Sequence, residues 1–180
     1  MEAKPQSMKE YFLSLQIVYY ALIAGQLIFA LLTFYLIRSG LFDGEQAELR
    51  NIFIYIVPVF VVGGLFISHL LFKSFMNTAR GKKNLYEKLT FYRSALIIRY
   101  ALLEGPSFFA IVVYLLTGDY LFLGMSGLII ITFFTLKPSA ERALNDLELN
   151  PEEAYAINNP NTLMNEMMGS KRSPFNENEL

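Results

Sequence analysis

Inside a long apolar stretch of this chain stands a single carboxylate, Glu104, followed at once by Gly105 and Pro106. An acidic side chain in a hydrocarbon layer must be protonated, paired across helices or wetted, so chemistry is sought there first. Pro106 cannot donate to the carbonyl four residues back and so frees that of Leu102, while Gly105 permits close approach of another helix. A carboxylate beside a spare carbonyl is how ion sites in broken membrane helices are built. The same arrangement also serves a packing joint, with a neutral Glu104 hydrogen-bonded to a neighbouring helix.

Three further polar residues complete the candidate ion or proton set: His69, Gln26 and Arg99. His69 is the only histidine, and a His69–Glu104 pair would make a proton relay. The plainer reading is a histidine at the membrane interface, bonded to lipid or backbone. Arg99 lies five residues before Glu104, about 140° around a helix, which is poor geometry for pairing within it. It stands near enough to the membrane face to snorkel. The amide of Gln26 is expected to bond across helices. Ala21-x3-Gly25, Gly64-x3-Ser68 and Ala101-x3-Gly105 are small-residue faces suited to helix contact, and Pro58 and Pro106 are expected kinks.

The elements that must carry these residues are read from hydropathy. The chain has 180 residues, 54% of them hydrophobic, with no cysteine and a formal net charge of −1. Its mean hydropathy of +0.37 is high for a soluble domain of this size. A spanning helix needs about 20 apolar residues. Four blocks qualify, Leu13 to Ile37, Ile52 to Phe72, Leu96 to Leu116 and Tyr120 to Leu136. Only the third contains formal charge, Arg99 and Glu104. The expected fold is therefore an all-α polytopic membrane protein of four transmembrane helices, arranged as two antiparallel hairpins. The first block is too long for a signal-peptide core and is expected to be retained.

Basic residues are sorted along the chain. Ten flank the blocks before the first, between the second and third, or shortly after the fourth, namely Lys4, Lys9, Lys73, Arg80, Lys82, Lys83, Lys88, Arg93, Lys137 and Arg142. Only Arg38 and Arg50 lie in the other two connections. By the positive-inside rule both termini are cytoplasmic, and a bacterial inner membrane is the expected home. Leu85, Leu89 and Tyr92 form a stripe in the basic middle connection, read as an interfacial amphipathic helix feeding the third span. Thr117-Gly118-Asp119 and Asp43-Gly44 read as turns. Residues 1–10 are a cytoplasmic start and 11–137 the membrane domain. Residues 138–157 are expected to be a helical cytoplasmic segment, with Pro151 at a helix start, and 158–180 a flexible tail.

An internal repeat runs through the first and third blocks. At an offset of 80, residues 14–36 match 94–116 at nine of 23 positions, including Tyr20/Tyr100, Gly25/Gly105 and Phe29/Phe109. Both copies would run in the same direction, as in parallel repeats. The Glu104-Gly105-Pro106-x-x-Phe109 neighbourhood resembles the proteolipid subunits of rotary ATPases. That family's glycine-rich hairpins, with the carboxylate on the second helix, differ from this aromatic-rich chain with its basic connection and long tail, and membership is not assigned.

Several functions are excluded or disfavoured. Without cysteine there is no disulfide, thiolate metal site or cysteine nucleophile, and one histidine makes no zinc or bis-histidine haem site. A near-neutral charge argues against nucleic acid. No enzyme motif is present and no cofactor is expected. The expected partners are the lipid bilayer and other membrane subunits or a second copy. The expected function is a non-catalytic scaffold, accessory or assembly subunit, the alternative being a small proton- or cation-coupled transporter using Glu104.

Overall fold

A computed structural model describes residues 6–42 and 47–164, and these form six helices. They are α1 (Met8–Arg38), α2 (Ala47–Arg80), α3 (Leu85–Thr117), α4 (Tyr120–Phe134), α5 (Ala140–Leu147) and α6 (Pro151–Asn158). The Asp43-Gly44 turn lies outside the described residues, as does the tail from residue 165 on.

Helix limits follow local chemistry. Ser7 caps α1 reciprocally with Glu10, its hydroxyl accepting from Glu10 N–H while its own N–H donates to Glu10 Oε2. Asn84 caps α3 by accepting from the Glu87 N–H at 2.8 Å. Gly118 ends α3 at φ 66°, a left-handed conformation natural to glycine. Asp119 then caps α4 through the Leu121 N–H. Asn150 and Pro151 open α6 as a cap and first-turn proline.

Helices α1, α2 and α3 have 31, 34 and 33 residues and are long and apolar enough to cross a membrane. At 1.5 Å per residue they reach about 46–51 Å, well beyond a hydrocarbon core of about 30 Å. Helix α4 is apolar but has 15 residues, or about 22 Å. These are the features of a multi-pass membrane protein.

Helix α3 is the hub. Of its apolar window 44% is buried, against 22% for α1 and 17% for α2. It packs on α1, α2 and α4, whereas α1 and α2 scarcely touch each other. The first pair of helices therefore does not close as a hairpin, because α3 occupies the space between them. Contacts of Tyr19 with Tyr100 and Phe29 with Phe108 show that α1 and α3 run parallel. Phe72 with Tyr92 and Phe60 with Phe109 show that α2 runs antiparallel to α3. The repeat positions are not equivalent in environment, since Tyr20 is exposed and Tyr100 buried.

The basic connection differs from expectation. Helix α2 continues to Arg80 and α3 begins at Leu85, so only residues 81–84 separate them. Leu85, Leu89 and Tyr92 are buried in the protein rather than laid on a lipid interface. The same stripe that would float a helix on headgroups is covered here by other parts of the chain. Tyr11 of α1 donates to the Leu89 carbonyl at 2.7 Å, and α5 brings Asp146 to Tyr92.

Both termini meet at this end. The Met8 N–H donates to the Thr162 carbonyl, and the Met164 N–H to that of Gln6. Residues 159–164, at the start of the expected tail, thus pack against the beginning of α1.

Candidate functional site

The Glu104-Gly105-Pro106 joint sits in the middle of α3, which continues as a helix through Pro106, as α2 does through Pro58. Pro106 is buried. The close approach comes from Gly64 of α2, where an added Cβ would lie 2.7 Å from Pro106 Cγ and 2.9 Å from the Leu102 carbonyl oxygen. Leu102 O is the acceptor that Pro106 cannot serve, and the side-chain-free Gly64 backbone packs against it. Gly64-x3-Ser68 is thus a true contact face, with Ser68 buried and its hydroxyl bonded to the Leu65 carbonyl.

The other two glycine faces do not close on a helix. A Cβ on Gly25 or Gly105 would meet nothing within 4 Å. Spacing identifies which residues are small but not which side of the helix meets a neighbour. An apolar groove of about 610 Å³ remains between α2 and α3, lined among others by Phe60, Gly63, Ile67, Ala101, Gly105 and Phe109.

Among the described residues the structure does not join Glu104 to His69 or Arg99. His69 is exposed on α2. Glu104 is half-buried, and no hydrogen bond or ion pair joins it to His69 or Arg99 among the described residues. The Arg99 guanidinium lies over the Phe72 ring, 4.5 Å from its centroid. It belongs to an electrostatic cluster with Arg142, Asp146, Tyr92 and Tyr100. Burial raises the Asp146 carboxyl above its ordinary range, against the opposing pull of Arg142 and Arg99.

Gln26 is fully buried in α1. Its Nε2 makes one long bond of 3.4 Å to the Leu22 carbonyl, and its Oε1 has no hydrogen-bond partner among the described residues. Gln26 stands seven residues after Tyr19, two helical turns along one face. Tyr19, Tyr100 and Phe133 form a three-helix aromatic layer with centroids 5.7–6.5 Å apart. A seven-residue step from each leads to Gln26, Ser107 and Ser126, all fully buried. Ser107 and Ser126 share a hydroxyl–hydroxyl bond of 2.8 Å. A polar layer thus sits directly on an aromatic one.

Sequence reasoning passed over that serine pair, since isolated serines in apolar runs carry no spacing signal until their partners are known. Tyr19 and Tyr100 cap the end of α4 through the Phe133 and Leu136 carbonyls, each at 2.9 Å. Among the described residues no three His, Asp or Glu side chains form a cluster able to hold a metal.

Comparison with protein-family models, curated proteins and solved structures returned no match. The functional reading therefore rests on the geometry alone.

Proposed function

We propose that this protein is a non-catalytic accessory or assembly subunit of a bacterial inner membrane. In this reading α4 is the fourth span, and both termini are cytoplasmic, which the distribution of basic residues supports. The observation that carries the proposal is α2. Its main support is α3, with slight further contact to α4 and α5, and it leaves large apolar side chains such as Tyr55, Val59 and Phe66 uncovered. Beside them runs the glycine-floored groove, the kind of surface against which a further transmembrane helix packs closely.

Extraction in mild detergent after in-membrane crosslinking tests this reading. A crosslinked partner or second copy captured through α2 substitutions supports it, and a lone monomer with no captured protein overturns it. Reporter fusions after residues 10, 42, 83, 118 and 164 test the topology. Fusions after 10, 83 and 164 should report cytoplasmic, and those after 42 and 118 external.

A second reading is favoured by one observation. Among the described residues Glu104 is a half-buried carboxyl without a partner, in a helix parallel to the one bearing the Gln26 acceptor, which also lacks one there. Proton- or cation-coupled permeation through Glu104 would use such groups. Liposomes containing wild type or Glu104→Gln distinguish it, because equal background flux in both removes transport from consideration.

A further inference from the structure

Two unmet hydrogen-bonding demands lie on facing sides of the α1/α3 seam. The first is Gln26 Oε1, a buried carboxamide acceptor without a donor among the described residues. Such an atom carries the desolvation penalty of burial with no hydrogen bond to offset it. The second is the Glu104 carboxyl, which makes no hydrogen bond or ion pair among the described residues.

Their relative position follows from two ring contacts. Tyr19 meets Tyr100 at 5.7 Å and Phe29 meets Phe108 at 5.5 Å, so the α1/α3 offset runs from 81 to 79 between them. Glu104 stands four residues after Tyr100 and four before Phe108, between two side chains that both face α1. It is therefore level with residue 24. The Cα of Gln26 is about 3 Å further along the axis. Its side chain leans back toward the helix start, as helical side chains do. The bond from Nε2 to the Leu22 carbonyl confirms that lean and brings the carboxamide down to the level of Glu104. Gly25, whose Cβ would meet nothing, leaves room in the same neighbourhood.

The charge state follows from what surrounds Glu104. Helix α1 has no charged residue between Glu10 and Arg38, and α4 has none at all. On α2 the titratable candidate is His69, which is exposed. On α3 the Arg99 guanidinium is stacked on Phe72 and lies in the Asp146 cluster, and Lys137, beyond the end of α4, lies over the Tyr20 ring. A carboxylate at this depth without a cation is far costlier than a neutral acid that donates one hydrogen bond.

We infer that the α1/α3 seam is an intramembrane proton-holding site, in which Glu104 keeps its proton and donates it to Gln26 Oε1. No bond is made or broken beyond the hydrogen bond itself. The site requires only that α1 and α3 cross the bilayer, and it stands whether the protein transports or solely assembles.

The test is infrared difference spectroscopy on the full chain in lipid nanodiscs at neutral pH, after flotation has shown that each variant is membrane-integrated. Wild type minus Glu104→Gln should show a protonated-carboxyl C=O band. In Gln26→Met, or in Gln26→Ala where Met does not fold, that band should persist and move to higher wavenumber. It should stay in place in Ser126→Ala. Absence of the band in wild type means that Glu104 is ionised and overturns the site. A band that ignores Gln26 or follows Ser126 overturns the assignment of the acceptor. The wild-type and Glu104→Gln pair decides the proton even if neither Gln26 variant folds. Failure of flotation would instead count against the membrane reading itself.

Discussion

Gly64 and Pro106 are pressed together so closely that a methyl group on Gly64 would lie 2.7 Å from Pro106 Cγ. Neither the proline ring nor the Leu102 carbonyl behind it is the free end of a flexible side chain, so the contact cannot be relieved by a rotamer change. The α2/α3 interface is organised around this point.

Gly64→Ala should therefore destabilise the bundle by about 1–3 kcal/mol, as overpacking does. Gly25→Ala and Gly105→Ala place their methyls in open space and should change stability by no more than about 1 kcal/mol. Unfolding in mixed micelles, followed by tyrosine fluorescence, checks the ranking. Equal losses in all three would show that the close approach is not at Gly64.

The two tyrosines that end α4 should differ in importance. The Phe133 carbonyl also accepts from the Leu136 N–H, whereas Tyr100 is the donor observed at the Leu136 carbonyl. Tyr19→Phe should cost about 1 kcal/mol, and Tyr100→Phe about 1–3 kcal/mol, because it strands an acceptor. Hydrogen exchange through α4 measures the fraying directly. A larger effect from Tyr19→Phe would reverse the assignment.

Lys88 and Glu153 tie α6 to α3 through a largely buried ion pair at 2.7 Å, and Arg80 ties in Glu148 at the same distance. Removing Lys88 leaves a carboxylate behind in a half-dry site, so Lys88→Met should cost about 3 kcal/mol. The Lys88→Met, Glu153→Gln double variant should recover part of that loss. Limited proteolysis across residues 138–164 reads out the release of α5 and α6. Arg80→Ala, which breaks an exposed pair, should change the cleavage rate far less.

Two aspartates at opposite ends should respond to acid with opposite sign. Asp119 is held below its ordinary value chiefly by the Leu121 N–H, against the opposing effect of burial, with Arg50 adding to the lowering. Its contribution is present above the unfolded value of about 3.9 and fades as pH falls below it. Asp146 is raised by burial, so docking of α5 should tighten as pH drops through its elevated folded value. Exchange rates at Leu121 and in α5, followed from neutral to acid pH, should diverge. Asp119→Asn should flatten the first trend and Asp146→Asn the second.

Much of the fold was legible because apolar blocks interrupted by little charge are nearly unambiguous. Gly118-Asp119 and Asn150-Pro151 marked real helix limits because their backbone chemistry is local. The Leu85, Leu89 and Tyr92 stripe was misread because period alone does not distinguish lipid from protein as the covering surface. Choosing Gly64 over Gly105 required knowing which helix lay opposite. The Ser107–Ser126 bond, and the level shared by Gln26 and Glu104, exist only between chain segments far apart in sequence.

The hub position of α3 bears on the order in which the chain is made. Helices α1 and α2 emerge first, yet each leans on α3 and hardly on the other. Between synthesis of Arg80 and that of Thr117 they can insert but have almost no surface to share. Assembly is thus timed by the third helix, and a chain ended at Arg80 would hold two inserted helices without an interface.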